Sequence, residues 1–445
     1  MYINQNNRDN IKEVTLKLLG YCRANDWAGY DPYDALNSKI YNSLPFLNNK
    51  PFRLALIQGF KRSPVNLRPL FLVPKTQNPK ALALFLMAFI NLKKMGLLED
   101  ETLIPLMVQR LIALRSGSQL STANRNPPTV NREPETGNYE PVTGNPYYCW
   151  GYSFPWQTRT LLVPRGAPNI VGTAFVANAL LDLYESELGQ EVTDKRQPQT
   201  GNGEPSTMNR SLTTGNDLPD LAVSAAEYMA NELFWERGPA VAGFSYPLPG
   251  IKTPVHNANF LGAALLCRVD SLTGGKRFQD VALKVARYSA SRQGEDGSWD
   301  YGEGGTQAWV DNFHTGYNLC ALRDINEYGG TEEFEPVVRK GFDYYRKYFI
   351  REDGAPKYYW NSVYPLDIHS VAQSIITLLR FKDLNVHYLE SAFSVYRWAV
   401  GRLWNNQDHF FYQKHKFYRN KISYMRWSQA WMLLALSLLL IEVKN

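Results

Sequence analysis

Three of the six histidines in this 445-residue chain occupy matching places. His256 stands in Pro254-Val255-His256-Asn257-Ala258-Asn259, His314 in Asp311-Asn312-Phe313-His314-Thr315, and His369 in Asp367-Ile368-His369-Ser370. Each falls where a polar cluster gives way to small and apolar residues that read as the start of a helix. His387, His409 and His415 share no such pattern. The positive end of the helix dipole disfavours imidazolium, so a histidine there stays neutral near pH 7, the form that abstracts a proton. This makes His314 and His369 candidate acid and base, with His256 in support. The same residues admit a structural reading, in which Asp311 and Asp367 are helix N-caps and the histidines satisfy orphan backbone groups.

Other side chains extend the set. Tyr301, a further acid or base, and Glu303, a carboxylate partner, precede His314 together with Asp300 and Trp309. Glu303 lies between Gly302 and Gly304-Gly305, and equally reads as an exposed loop carboxylate. Arg159 and Arg426 stand just before or at further helix starts. Two guanidinium groups facing one cavity would hold a carboxylate or sulfate on a sugar. Trp150, Trp156, Trp299 and Trp309 offer planes for sugar stacking, and Asn312, Asp367 and Trp427 complete the binding set. The alternative for each ring is a plug at the rim of a large core.

The elements that would position these groups follow from a repeat of about 55 residues. A Gly-aromatic turn reads Trp150-Gly151-Tyr152-Ser153-Phe154 and Ala242-Gly243-Phe244-Ser245-Tyr246. It returns as Asp296-Gly297-Ser298-Trp299-Asp300-Tyr301, as Asp353-Gly354-Ala355-Pro356-Lys357-Tyr358, and as Asp408-His409-Phe410-Phe411-Tyr412. Six segments are apolar on nearly all faces, at 79–94, 170–184, 255–267, 312–323, 368–379 and 426–441. That pattern belongs to helices buried on several sides. Six amphipathic segments alternate with them, at 8–23, 103–115, 218–234, 277–292, 333–348 and 388–403. Six outer and six inner helices specify an all-α fold, an (α/α)6 toroid of six helical hairpins in a single domain spanning 1–445. In that architecture the loops before the inner helices line one cavity. Two polar insertions, about 116–145 and 189–216, are rich in Asn, Thr, Gly, Pro and Gln and read as flexible and disordered. The stretch Trp27-Ala28-Gly29-Tyr30-Asp31-Pro32-Tyr33-Asp34-Ala35-Leu36-Asn37 turns into a short helix, and either reaches the ring face or packs beside it.

A net charge of +6 with no run of five basic residues gives no nucleic-acid tail. Cys22, Cys149, Cys267 and Cys320 are far apart and read as reduced buried thiols. The polar N-terminus has no signal region, and the apolar run from Ala430 to Ile441 is too short to span a bilayer, so a cytoplasmic soluble protein is expected. The motifs GxGxxG, Walker A, HExxH and GxSxG are absent, and no cofactor or metal is expected.

Gln293-Gly294-Glu295-Asp296-Gly297-Ser298-Trp299 resembles the QW motif of squalene–hopene-type terpene cyclases, which are helical toroids. The likeness covers one repeat, and the DxDD acid motif of those cyclases is missing. The zinc ligands of protein prenyltransferase β-subunits, another toroid, have no match. Over most of the chain outside the insertions, five segments resemble a bacterial family of six-hairpin proteins associated with polysaccharide biosynthesis. They are Gly29-Tyr30-Asp31-Pro32-Tyr33-Asp34, Cys149-Trp150-Gly151-Tyr152, Pro168-Asn169-Ile170-Val171, His256-Asn257-Ala258-Asn259 and Trp309-Val310-Asp311-Asn312-Phe313-His314-Thr315-Gly316-Tyr317. Some relatives carry a δ-aminolevulinate dehydratase label. The chain lacks the alternating strands, Schiff-base lysine pair and zinc–cysteine cluster of that activity, and no catalytic residue is carried over. Tyr364-Pro365-Leu366-Asp367-Ile368-His369 resembles the C-terminal helical part of glucuronyl C5-epimerases.

The leading expectation is therefore a protein of polysaccharide assembly that acts on an oligo- or polysaccharide alongside other assembly proteins. Its chemistry would be proton transfer at a sugar carbon, as in a uronate epimerase or lyase. An inverting glycoside hydrolase using Glu303 with Asp311 or Asp367 is the alternative. A non-catalytic polysaccharide-binding or scaffold protein is the third reading.

Overall fold

The computed structural model describes residues 5–117, 145–186 and 217–444. The two polar insertions lie outside the described residues, apart from Ser116, Gly117 and Asn145. In chain order the principal helices are α1 (Gln5–Ala24), α2 (Lys50–Arg62), α3 (Pro79–Lys94), α4 (Leu103–Ala113), α5 (Ile170–Glu185), α6 (Leu218–Tyr228) and α7 (His256–Thr273). They continue as α8 (Gln279–Ser291), α9 (Asn312–Gly329), α10 (Glu335–Phe349), α11 (Ile368–Arg380), α12 (His387–Leu403) and α13 (Trp431–Lys444), the last preceded by a π-helical turn, Met425–Ala430. Strands among the described residues are two to four residues long and serve the loops.

Helices α3, α5, α7, α9, α11 and α13 form the inner ring. Each packs on the next, and α13 returns to α3. The outer helices α4, α6, α8 and α10 rest on the inner helix that precedes each of them in the chain, α12 rests on α11, and α1 closes the outer ring against α13. Burial follows periodicity. In α10, Val338, Phe342, Tyr345 and Phe349 form one buried stripe, whereas the inner α11 buries residues on all sides. One hydrophobic cluster runs from Ile11 to Val443. The helical run Met425–Val443 spans 19 residues and by length and composition alone could cross a membrane. Its apolar stretch is longer than the twelve residues read from sequence because the π turn extends it. In the fold, 83% of that window is buried, packed against α1, α3 and α11.

The connections are unequal. Segments 274–278, 330–334 and 381–386 are short, whereas 292–311, 350–367 and 404–424 are long. The long loops gather over the inner-helix N-termini, and a repeated hydrogen bond holds them there. The first N–H groups of a helix have no partner within it. Here His256 N–H donates to the Tyr301 carbonyl at 3.1 Å, Asn312 to Tyr358 at 2.9 Å, Ile368 to Tyr412 at 3.1 Å and Met425 to Tyr30 at 3.1 Å. Tyr301, Tyr358 and Tyr412 end successive Gly-aromatic turns. Each turn therefore caps the inner helix of the repeat before it, and Tyr30 closes the circle by capping the last.

The N-terminal stretch reaches the ring face. Arg68, wholly buried, donates to Asp34 Oδ1 at 2.6 Å, to the Asp31 carbonyl at 2.6 Å and to the Tyr424 hydroxyl at 3.0 Å. A small second core of Ala35, Leu36, Tyr41, Ile57, Phe60 and Val73 supports it beneath α2.

The turns need glycine for a second reason. Gly297 and Gly354 have φ of 95° and 81°. A Cβ on Gly297 would lie 2.5 Å from the Lys340 carbonyl oxygen, and one on Gly354 would lie 2.7 Å from that of Ser394. Each turn is thus wedged against the next outer helix. Gly297→Ala is expected to cost about 1–3 kcal/mol from backbone strain and overlap. Gly305→Ala, where a Cβ meets nothing within 4 Å, is expected to stay near wild type. Denaturant midpoints of the two variants check this.

Candidate functional site

The site begins with a cap. Asp311 is extended, with φ −127° and ψ 165°, and its Oδ1 accepts the His314 N–H at 3.0 Å, which starts α9. Its other oxygen, Oδ2, lies 2.7 Å from His314 Nδ1 and accepts the Trp309 indole N–H at 3.1 Å. A carboxylate beside Nδ1 fixes the proton there and leaves Nε2 as the basic nitrogen. The His314 side chain is 22% exposed and the Asp311 side chain 2%. His314 is thus partly exposed where the inner-helix N-termini meet, while Asp311 is sealed beneath it. The Tyr301 ring stacks on Trp309 at 4.5 Å and approaches His314 at 4.6 Å. The Tyr246 hydroxyl joins those of Tyr152 and Tyr301. Burial raises the Tyr301 hydroxyl well above its ordinary value, so it stays protonated and serves as a donor.

Phe313 links His314 to His369, with ring centroids at 4.2 and 4.5 Å. His369 is 1% exposed. It is stacked between Phe313 and Trp431, with Trp427 edge-on at 4.6 Å. Its Nε2 meets the Tyr317 hydroxyl at 2.5 Å, and its Nδ1 is buried without a partner. Burial first, then the charges of Lys80 and Arg426, push its pKa well down and keep the ring neutral. His369 therefore has no route to a ligand as a direct acid or base; it positions the Tyr317 hydroxyl.

His256 does not join these two. Its Nδ1 lies 3.2 Å from Ser289 Oγ on the outer helix α8, and its Nε2 is 3.9 Å from Glu303. Asn259 and Trp299 share Ser289, through its hydroxyl and its carbonyl. Glu303 accepts from the Tyr288 hydroxyl at 2.7 Å and from Arg292 at 2.9 Å. This is a structural knot between an inner and an outer helix, so His256 and Glu303 leave the catalytic set.

Several binding candidates are also relocated. Trp150 and Trp299 are 0% and 2% exposed, their indole N–H groups donating to the Leu111 and Ser289 carbonyls. They are core rings and cannot stack on a sugar. Asn312 is buried, donating to Ser374 and accepting from Tyr345. Trp427 is buried with its N–H on Asp367. Asp367 caps His369 N–H at 2.8 Å and accepts from Gln413 at 2.6 Å. Burial raises its carboxyl to about 6. Arg426 forms a bidentate pair with Asp31, its Nε and Nη2 donating at 2.7 and 2.9 Å. Arg159 is exposed and donates to the Thr306 carbonyl, so the two arginines form no clamp. Trp156 and Trp309 remain partly exposed, with Tyr152 and Tyr301 between them along the wall.

The sequence reading missed Tyr152, Tyr246, Tyr317 and Lys80. Lys80 carried a signal: it is the one charge in the otherwise apolar run Pro79–Asn91. All four cysteines are free.

No protein-family model and no curated relative matches the sequence. Solved structures do. A cellobiose 2-epimerase from Bacillus thermoamylovorans B4167 is similar with a TM-score of 0.55 at 10% identity, over 83% of this chain and 90% of that one. A D-mannose isomerase gives 0.53 at 11% identity, over 82% and 87%. A GH76 α-mannanase from Bacteroides thetaiotaomicron gives 0.52 at 10% identity, over 82% and 86%. These likenesses show the fold, the (α/α)6 toroid.

The His256 knot sets an acid limit. Burial lowers the His256 pKa from 6.5 to about 4. A base with a depressed folded pKa contributes stability that is present above pH 6.5 and lost as pH falls toward 4. Wild type is expected to lose on the order of 3 kcal/mol more than His256→Gln across that window, read from denaturant midpoints at each pH.

Proposed function

We propose that this chain is a carbohydrate-active enzyme that moves a proton at a sugar carbon, in the manner of an epimerase or isomerase. The observation that carries the reading is the Asp311–His314 pair, with Nδ1 held at 2.7 Å and the imidazole partly exposed. His314 Nε2 takes the proton from a carbon next to a carbonyl or carboxyl group. The C–H electron pair passes into an enediolate, and Asp311 offsets the charge of the imidazolium. The hydroxyl of Tyr301, kept protonated by burial, is the donor for the developing oxyanion. The His314 imidazolium then returns its proton to the enediolate, at the same carbon or at the neighbouring one to isomerise the sugar, while the Tyr301 hydroxyl relays the oxygen proton, and both groups are restored. Trp156, Tyr152, Tyr301 and Trp309 give the sugar an aromatic wall. Support comes also from the fold, which the chain shares with proteins described as a cellobiose 2-epimerase, a D-mannose isomerase and an α-mannanase. A role in polysaccharide assembly belongs to the same proposal.

The hydrolase reading needs two carboxylates facing the scissile bond. Asp311 is committed to His314, Asp367 is sealed, and Glu303 is tied to Tyr288 and Arg292. Proton transfer by a histidine is the chemistry the recess favours.

In deuterium oxide, wild type is expected to place deuterium at a single carbon of at least one member of a panel of uronate-containing and neutral oligosaccharides. His314→Gln should lower that exchange by about 10²–10⁴-fold, and Asp311→Asn should lower it by about tenfold or more. Mass spectrometry and NMR read the label. Equal exchange by wild type and His314→Gln, or none from wild type on any sugar, would remove the proposal.

A further inference from the structure

Lys80 is the second residue of α3 and lies at the ring's centre, 3% exposed. Its Nζ sits 4.0 Å from the Phe175 ring of α5, 5.1 Å from the Tyr317 ring of α9 and 5.1 Å from the Trp431 ring of α13. Among the described residues it makes no hydrogen bond or ion pair through Nζ. Asp31, Tyr317 and Asp367 are already engaged. Both Asp31 oxygens are on Arg426. The Tyr317 hydroxyl is on His369, and the Asp367 carboxyl is on Gln413 and Trp427. The nearest charged groups are Arg426, which opposes the ammonium, and Asp31, which Arg426 already neutralises. His369 is held neutral, and Phe175, the ring nearest Nζ, is partly exposed.

A buried amine without a counter-charge is costly. Cation–π contacts with three rings offset part of that cost but supply no acceptor for its N–H groups. An uncompensated amine set among packed rings, one of them partly exposed, suits an anionic group that reaches Nζ beside Phe175 while the rest of its molecule lies outside the ring cluster.

We propose that the Lys80 ammonium binds the anionic group, a carboxylate or a phosphate, of an acidic sugar held among α3, α5, α9 and α13. This rests on the proton-transfer reading and names the class of sugar for it. A uronate carboxylate neutralised by Lys80 makes the adjacent C–H more acidic, which is the task the sequence reading gave to Arg159 and Arg426. Burial, then Arg426, holds the Lys80 pKa well below its usual value in the free protein. An anion beside it reverses that shift, so binding takes up a proton at any pH between the free and bound values.

The test is calorimetric titration of the full chain with D-glucuronate, D-glucose 6-phosphate and D-glucose, each in two buffers of different ionisation enthalpy from pH 6 to 9.5. At least one acid is expected to bind about tenfold or more tightly than glucose. Proton uptake on binding should rise toward about one as pH climbs, and the preferred acid shows whether a carboxylate or a phosphate is the ligand. Lys80→Met should remove both the preference and the uptake while melting no lower than wild type, because it relieves a buried unpaired amine. His314→Gln should keep acid binding and proton uptake while losing deuterium exchange, so a failure of this site and a failure of the proton-transfer reading give different results. Glucose binding as tightly as the acids, no binding of either acid, no proton uptake by wild type, or uptake unchanged in Lys80→Met overturns the proposal. The wild-type proton count decides the matter whether or not the variant folds.

Discussion

The inner helices need partners for their first N–H groups, and four of the six take one from a tyrosine carbonyl in a neighbouring turn. His256 to Tyr301, Asn312 to Tyr358, Ile368 to Tyr412 and Met425 to Tyr30 are one contact made four times. A buried helix end without such partners loses the full hydration of its amides. The remedy here is a polar bond that only the adjacent repeat can supply, and repeat-to-repeat order follows from it. The long loops must lie over the inner N-termini, and the glycines must let the turns press against the next outer helix. The residues just inside each helix start are thereby lifted to one level around the axis. The last of these bonds joins positions 30 and 425, and the bidentate Asp31–Arg426 pair beside it makes the closure electrostatic as well.

That closure sets which charges around the inner-helix starts are compensated. Arg426 is neutralised by Asp31, Asp367 is satisfied by neutral donors, and His369 is a neutral ring among aromatics. What is left around the inner-helix starts is a set of tyrosines and tryptophans with one oriented histidine, His314, and one amine without a hydrogen-bonded partner among the described residues, Lys80. Low polarity strengthens any charge that enters. The proposed roles of His314 as a base and Lys80 as an anion partner both draw on that setting.

Quasi-equivalence in sequence did not carry over to equivalence in role. His256, His314 and His369 all stand within the first three residues of an inner helix. Yet successive positions on a helix point about 100° apart. His256 is the first residue of α7 and turns outward to Ser289. His314 is the third residue of α9 and is folded back onto its own cap. His369 is the second residue of α11 and enters the aromatic stack. A shift of one position is invisible in a repeat alignment and decides which neighbour a side chain meets. The same holds for Trp150 and Trp299: they recur with the turns, and the turns bury them.

The helices, their inner or outer place and the toroid itself were legible in the sequence, because amphipathic and all-apolar periodicities are local and repeat about every 55 residues. The caps Asp311 and Asp367 were legible too, as polar residues at the head of apolar runs. Helix α2 and the docking of the N-terminal stretch were not. They depend on Arg68 and Arg426 finding Asp34 and Asp31 across the fold, and no local pattern encodes such a pairing. Which arginine is free, which histidine is sealed and which lysine lacks a partner were settled by tertiary contacts alone, since charge compensation in a buried site depends on distance in space, and distance along the chain does not report it.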